Sequence, residues 1–172
     1  VYKSDRFGFN NPDEEWDKNG IEYLLIGDSF THGACVNRPH DIASVLRKLS
    51  AKTVINLGYG GNGPLLKYST LKEYINLNVE KIVWIYLEGD DLYNLKNEIK
   101  DEVLKNYIEN VNFLQNLKYR QNEIDKMITK TVDKQFLKSF HQSSKNNKIK
   151  YKILKFLRLD KTKKIISKKN SV

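Results

Sequence analysis

A serine, a cluster of glycines and a pair of aspartates stand where three apolar runs of this sequence end. The first run closes in Gly27-Asp28-Ser29, the second opens into "GYGGNG" over residues 58–63, and the third stops at Glu88-Gly89-Asp90-Asp91. A serine at the mouth of a helix can attack a carbonyl carbon while its own N–H helps hold the resulting oxyanion. Asp28 would brace that turn through hydrogen bonds to nearby amides; alternatively, Asp28 or Ser29 is simply a helix cap. A glycine in the second loop lets a backbone N–H approach a ligand, because no side chain intervenes. The third loop sets a polar side chain at the end of a neighbouring strand. Together these residues suit nucleophilic acyl chemistry.

The elements that must position them are legible from the apolar pattern. Residues 21–27 ("IEYLLIG"), 53–58 ("TVINLG") and 81–88 ("KIVWIYLE") are short, rich in β-branched and aromatic residues, and apolar on both faces. Buried parallel strands read this way. Between them, Ile42, Val45, Leu46 and Leu49, and then Leu65, Tyr68, Leu71 and Tyr74, recur at helical spacing. Alternating strand and helix predicts an α/β fold, an open parallel sheet covered on both faces. Ligands of such sheets gather at the carboxyl ends of the strands.

Residues 1–20 form a lead-in rich in turn formers and aromatics, packed on the core by Phe7, Phe9 and Trp16. Residues 21–95 carry the strand–helix pattern. From residue 96 the strand signal stops, and 96–172 reads as a basic helical insertion or cap. Val103, Tyr107, Val111 and Leu114 suit one helix; Ile124, Ile128, Phe136 and Phe140 a second; Ile149, Ile153 and Phe156 a third.

The chain has 172 residues and a net charge of +9. Residues 1–95 hold 10 basic and 13 acidic side chains, 96–133 hold 7 of each, and 134–172 hold 13 basic residues against Asp160 alone. The basicity therefore belongs to the tail, which reads as a solvated Lys-rich surface. Arginine forks of the kind that recognise phosphate are scarce there, so no specific nucleic-acid partner is expected. No apolar stretch reaches the roughly 18 residues of a membrane span. The chain starts at Val1 rather than Met, and we read it as a piece of a longer protein. Its compartment is open, and an extracytoplasmic or anchored location would need a signal in a preceding segment. The one cysteine, Cys35, excludes an internal disulfide and a multi-cysteine zinc site, and between Ala34 and Val36 it reads as a small buried residue.

The three loops, in this order and each at a strand end, resemble blocks I, II and III of the GDSL/SGNH hydrolase family. The resemblance covers residues 21–95, and the lead-in "DRFGFNNPD" (5–13) is similar to what precedes block I in bacterial members. It implies a three-layer, flavodoxin-like parallel sheet, here incomplete, and an ester hydrolase that needs no metal or cofactor. It implies Ser29 as nucleophile and Gly61 as oxyanion-hole glycine, with Gly58 the less favoured choice. Asp28, Asn62 and Gly58 become supporting positions. The family has Gly-x-Asn-Asp in block III, so Asp90 stands where an amide donor is expected. A carboxylate there is protonated, turns away, or impairs catalysis. The family's general base is a histidine in an Asp-x-x-His block, which none of His32, His40 and His141 fits. His32 reads as a residue that packs or lines the cleft, His141 as exposed, and the block as lying beyond residue 172. The implied substrate is a small-molecule or glycan ester; with a sugar hydroxyl in place of water, the reaction becomes acyl transfer.

Two other classes compete. Residues 58–63 also match the dinucleotide-binding pattern G-x-G-x-x-G, with Glu88 at the next strand end as a ribose partner. Pro64 follows directly, where that pattern wants continuing helix. The other class is a non-catalytic module of the same fold, disabled at Asp90, that binds a glycan or acyl group.

Overall fold

A computed structural model of the chain describes residues 3–75 and 78–135. The expectations for Phe136, Phe140, His141 and the helix through Ile149 and Phe156 lie outside those residues. The chain divides into two compact units, Val1–Gln121 and Asn122–Val172. In the second, residues 122–135 are helical, in keeping with the spacing of Ile124 and Ile128.

The first unit is an α/β fold. In chain order it contains β1 (Ile21–Ile26), α1 (Ser29–His32), α2 (Ile42–Ser50), β2 (Val54–Asn56), α3 (Pro64–Tyr74), β3 (Val79–Trp84), α4 (Asp90–Glu98) and α5 (Glu102–Glu109). The three strands make one parallel sheet in the order β2-β1-β3. β1 is central, with Leu24 opposite Ile55 on one side and Ile82 on the other. Side chains alternate between the two faces of a strand. Leu24, Ile26, Ile55 and Leu57 accordingly join Phe9 and Tyr74 in one core, while Leu25 and Val54 meet Ala43 of α2 in another.

The outer strand departs from the expectation of burial on both faces. Ile82, Val83 and Trp84 are 45, 37 and 38% exposed, against at most 1% for Leu24, Leu25 and Ile26. Edge position alone is not the reason, since among the described residues β2 also pairs with β1 alone and is buried. Ala43 and Leu46 of α2 pack with Val54, whereas Ile82, Val83 and Trp84 join neither buried core. The α2 stripe is also turned. Ala43 and Leu46 face the core, and Ile42, Val45 and Leu49 are exposed. Arg47 explains the rotation: its guanidinium donates to Val54 O at 2.9 and 2.7 Å and to Asn11 Oδ1 at 2.7 Å.

The lead-in is organised by Asp5, whose carboxylate accepts from the Phe7 and Phe9 amides, Asn11 Nδ2 and Trp16 Nε1 at 2.8–2.9 Å. Phe7 and Phe9 then meet Tyr74 edge-on, with ring centroids 5.6 and 5.0 Å away. The Asn11 amide acts as a surrogate strand on β2, donating to Asn56 O at 2.9 Å and accepting from Asn56 N at 2.8 Å.

Past β3, the helix expected through Val103 and Leu114 ends at Glu109. Glu73 on α3 captures the chain beyond it, accepting from Tyr107 Oη at 2.5 Å, Gln115 N at 2.6 Å and Leu117 N at 2.8 Å. Those bonds draw 115 and 117 onto α3 and leave Val111 exposed.

Burial pushes the Tyr74 and Tyr107 phenols up to about 12, Tyr107 further raised by its bond to Glu73 and Tyr74 by the Glu73 and Asp5 charges. The fold thus favours the protonated phenols. Their contribution to stability is complete below the ordinary tyrosine value of about 10 and is lost as pH rises from there to about 12. Following tyrosinate absorbance against pH should show two of the ten tyrosines ionising last, together with unfolding. In the Tyr107→Phe variant only one should remain. Ionisation of all ten in one early step would contradict the packing.

Candidate active site

The register puts the three motif loops on one edge of the sheet. β1 ends at Ile26, whose carbonyl accepts from Ile85 N at 2.8 Å, and Leu25 O accepts from Leu57 N at 2.9 Å. Tyr59 N reaches Gly27 O at 3.2 Å. Gly27–Ser29, Gly58–Gly63 and the turn after β3 therefore all leave from the carboxyl ends of adjacent parallel strands.

At that edge α1 begins. Asp28 is its N-cap, buried, with Oδ1 accepting from Phe30 N at 3.0 Å and its carbonyl from His32 N at 2.9 Å. Ser29 is the first helical residue and half-buried; its side chain makes no hydrogen bond among the described residues. The helix sits directly on the strand ends because two residues there lack a Cβ. On Gly27 a Cβ would collide with Thr31 Oγ1; on Gly58 it would stand 2.6 Å from His32 N and Thr31 Cβ. Asn56 Nδ2 donates to Thr31 O at 2.6 Å, and Asn10 Nδ2 to His32 O at 2.7 Å. The His32 ring is turned to the second loop. Its Nδ1 lies 3.2 Å from Gly58 O, so Nδ1 carries the proton, and the ring meets Tyr59 edge-on.

The glycines of the second loop divide by what their N–H groups do. Gly58 N donates to Asn56 Oδ1 at 2.8 Å and Gly63 N to Glu98 Oε1 at 2.7 Å, so both are spent. Gly60 and Gly61 make no N–H bond among the described residues. Gly60 lies against the serine: a Cβ on it would stand 3.7 Å from Ser29 Cβ. Gly61, one Cα step of about 3.8 Å further, is within about 9 Å of that atom. It is exposed, and its φ of +84° is one a side chain would strain. Asn62 is half-buried, its amide turned back to Tyr59 O at 3.3 Å.

Two residues with no sequence signal hold the loops. Glu98, at the end of α4, reaches back to the start of α3 and accepts from Gly63 N, Leu65 N and Leu66 N at 2.7, 2.9 and 3.4 Å. A carboxylate there answers the free amides and positive dipole end of α3. Lys67 and Asp91 form a fully buried ion pair, Nζ lying 2.6 Å from both carboxylate oxygens. Asp91 Oδ2 also accepts from Leu87 N at 3.1 Å, and Lys67 Nζ donates to Ile85 O at 3.3 Å, so the pair clamps the turn after β3. Asp90, beside it, is exposed as the first residue of α4.

Next to Ser29 lies a cleft of about 220 Å³ lined by Ser29, Phe30, Ala34, Cys35, Val36 and Ile42, with Gly33, His40 and Asp41 completing it. Cys35 is exposed rather than buried: Gly33, at φ +78°, ends α1 and turns residues 34–37 out over the surface. Among the described residues, no group of His, Cys, Asp and Glu could hold a metal ion, and no helix is long and apolar enough to cross a membrane. Comparisons with family models, with curated proteins and with solved structures return no match.

Removing one partner of the Lys67–Asp91 pair strands a charge in the interior, at a cost of about 3–5 kcal/mol. In urea denaturation Asp91→Asn should show a loss of that order, and the double variant Lys67→Met with Asp91→Asn should recover most of it. Equal losses for both would mean that the ion pair itself carries the stability.

Proposed function

We propose that this chain carries the nucleophile and oxyanion elements of a serine ester hydrolase of the SGNH type, on a flavodoxin-like sheet. The observation that carries the reading is Gly60 set against Ser29, with the Gly60 and Gly61 N–H groups unpaired among the described residues. Ser29 Oγ attacks the ester carbonyl, and the negative charge on its oxygen is held by the Ser29 and Gly61 N–H groups. Collapse of that intermediate expels the alcohol and leaves an acyl-enzyme at Ser29, which water then hydrolyses. A base must take the Ser29 proton. In this reading the base comes from a further Asp-x-x-His segment, a pattern that His32 does not fit.

Asp90 supports a second reading, a binding module of the same architecture. A carboxylate repels a developing oxyanion where an amide would donate to it.

By itself this chain should turn over an activated acetate ester only weakly, because a triad without its base keeps just the oxyanion-hole and binding contributions. Substantial hydrolysis abolished by Ser29→Ala would instead place the base among these residues. In the full-length protein, Asp90→Asn should raise kcat, by up to the roughly 10²–10³ that one oxyanion donor is worth, with KM little changed. A fall in kcat would remove residue 90 from the donor role. Hydrolysis that survives Ser29→Ala would overturn the reading of Ser29 as nucleophile.

A further inference from the structure

The cleft beside Ser29 has a chemistry of its own. Apart from Ser29 and Gly33, its walls are Phe30, Ala34, Cys35, Val36 and Ile42, with His40 and Asp41 as the titratable groups besides the thiol. Asp41 turns away from it, capping α2 through Ser44 N at 2.9 Å and Ser44 Oγ at 2.6 Å. No lysine or arginine lines the cleft, and Phe30, Val36 and Ile42 are 66, 46 and 43% exposed around it. Gathered in one cleft beside the Ser29 hydroxyl, they form a contiguous apolar wall, and an exposed apolar patch of that kind marks a ligand-binding groove. A saccharide would bring several hydroxyls, for which the side chains of these walls offer little beyond Ser29 and His40.

We infer that this cleft receives the acyl chain of the ester, and that the acyl group is aliphatic and of intermediate length. This rests on the reading of Ser29 as nucleophile. At about 220 Å³ the cleft falls below the 300–1,000 Å³ usual for drug-sized ligands. It suits an unbranched chain of about four to eight carbons, each methylene gaining from burial. The carbonyl carbon of such a chain lies at the Ser29 end, and its methyl terminus runs between Val36 and Ile42.

Cys35 makes the test independent of turnover. It is the one cysteine of the chain, exposed, and part of the cleft wall, so its rate of reaction with a thiol reagent reports occupancy. Methyl acetate, butanoate, hexanoate and octanoate should slow that reaction at progressively lower concentration, by roughly fourfold per buried methylene. The series should level off where the chain outgrows the cleft. Val36→Asp and Phe30→Ser, both at exposed positions, should weaken protection by the longer esters at least tenfold, and Ser29→Ala should leave it intact. Protection that does not depend on chain length, or an acetylated monosaccharide protecting as well as methyl octanoate, would overturn the inference. If protection follows the series but the full-length protein hydrolyses the same esters equally well as Ser29→Ala, the nucleophile reading fails and the apolar site stands.

Discussion

A helix of four residues has no stability of its own. Forming one hydrogen-bonded turn costs more than it returns, and α1, which presents Ser29, is no longer than that. Its place is imposed from outside. Two strand ends without side chains let it descend onto the sheet, Asn56 and Asn10 take its terminal carbonyls, and the His32 ring ties it to the loop after β2. Asn10 and Asn11 in turn belong to the lead-in that Asp5 folds. The orientation of one serine therefore depends on residues up to 29 positions away in sequence, Gly58 being the farthest.

α3 is the beam on which the remaining loops hang. Glu98 holds its first turn, Lys67 in its middle reaches the turn after β3, and Glu73 near its end gathers the chain beyond α5. All three are buried side chains of the charged type, each costly to desolvate and each matched by several donors or acceptors. Charge-assisted bonds of this kind are directional, which hydrophobic packing is not. They set the positions of the loop that carries Gly60 and Gly61 and of the turn that precedes Asp90.

The site's two halves are thus held differently. The backbone half is anchored by buried polar groups, while the cleft beside Ser29 is walled by side chains that stay exposed among the described residues. In the proposed ester hydrolysis, the fixed N–H groups would meet the carbonyl while the acyl chain is gripped by apolar contact.

Local composition alone determined the α/β alternation, the three parallel strands and the loops that bear Ser29, Gly61 and Asp90, because apolar period and glycine placement act over a few residues. The packing of Phe7, Phe9 and Trp16 was legible for the same reason. Tertiary structure decided what depends on distant partners. Gly58 has its N–H consumed by Asn56. Glu98 and Lys67 meet groups that stand 18 to 35 positions away. Arg47 rotates the α2 stripe away from the core. β3 stays partly exposed while β2, equally an edge strand among the described residues, is buried, since burial depends on what packs over a strand's faces. Cys35 is exposed for a related reason: a left-handed turn at Gly33 carries it out of the fold, and the flanking Ala34 and Val36 carry no sign of that turn.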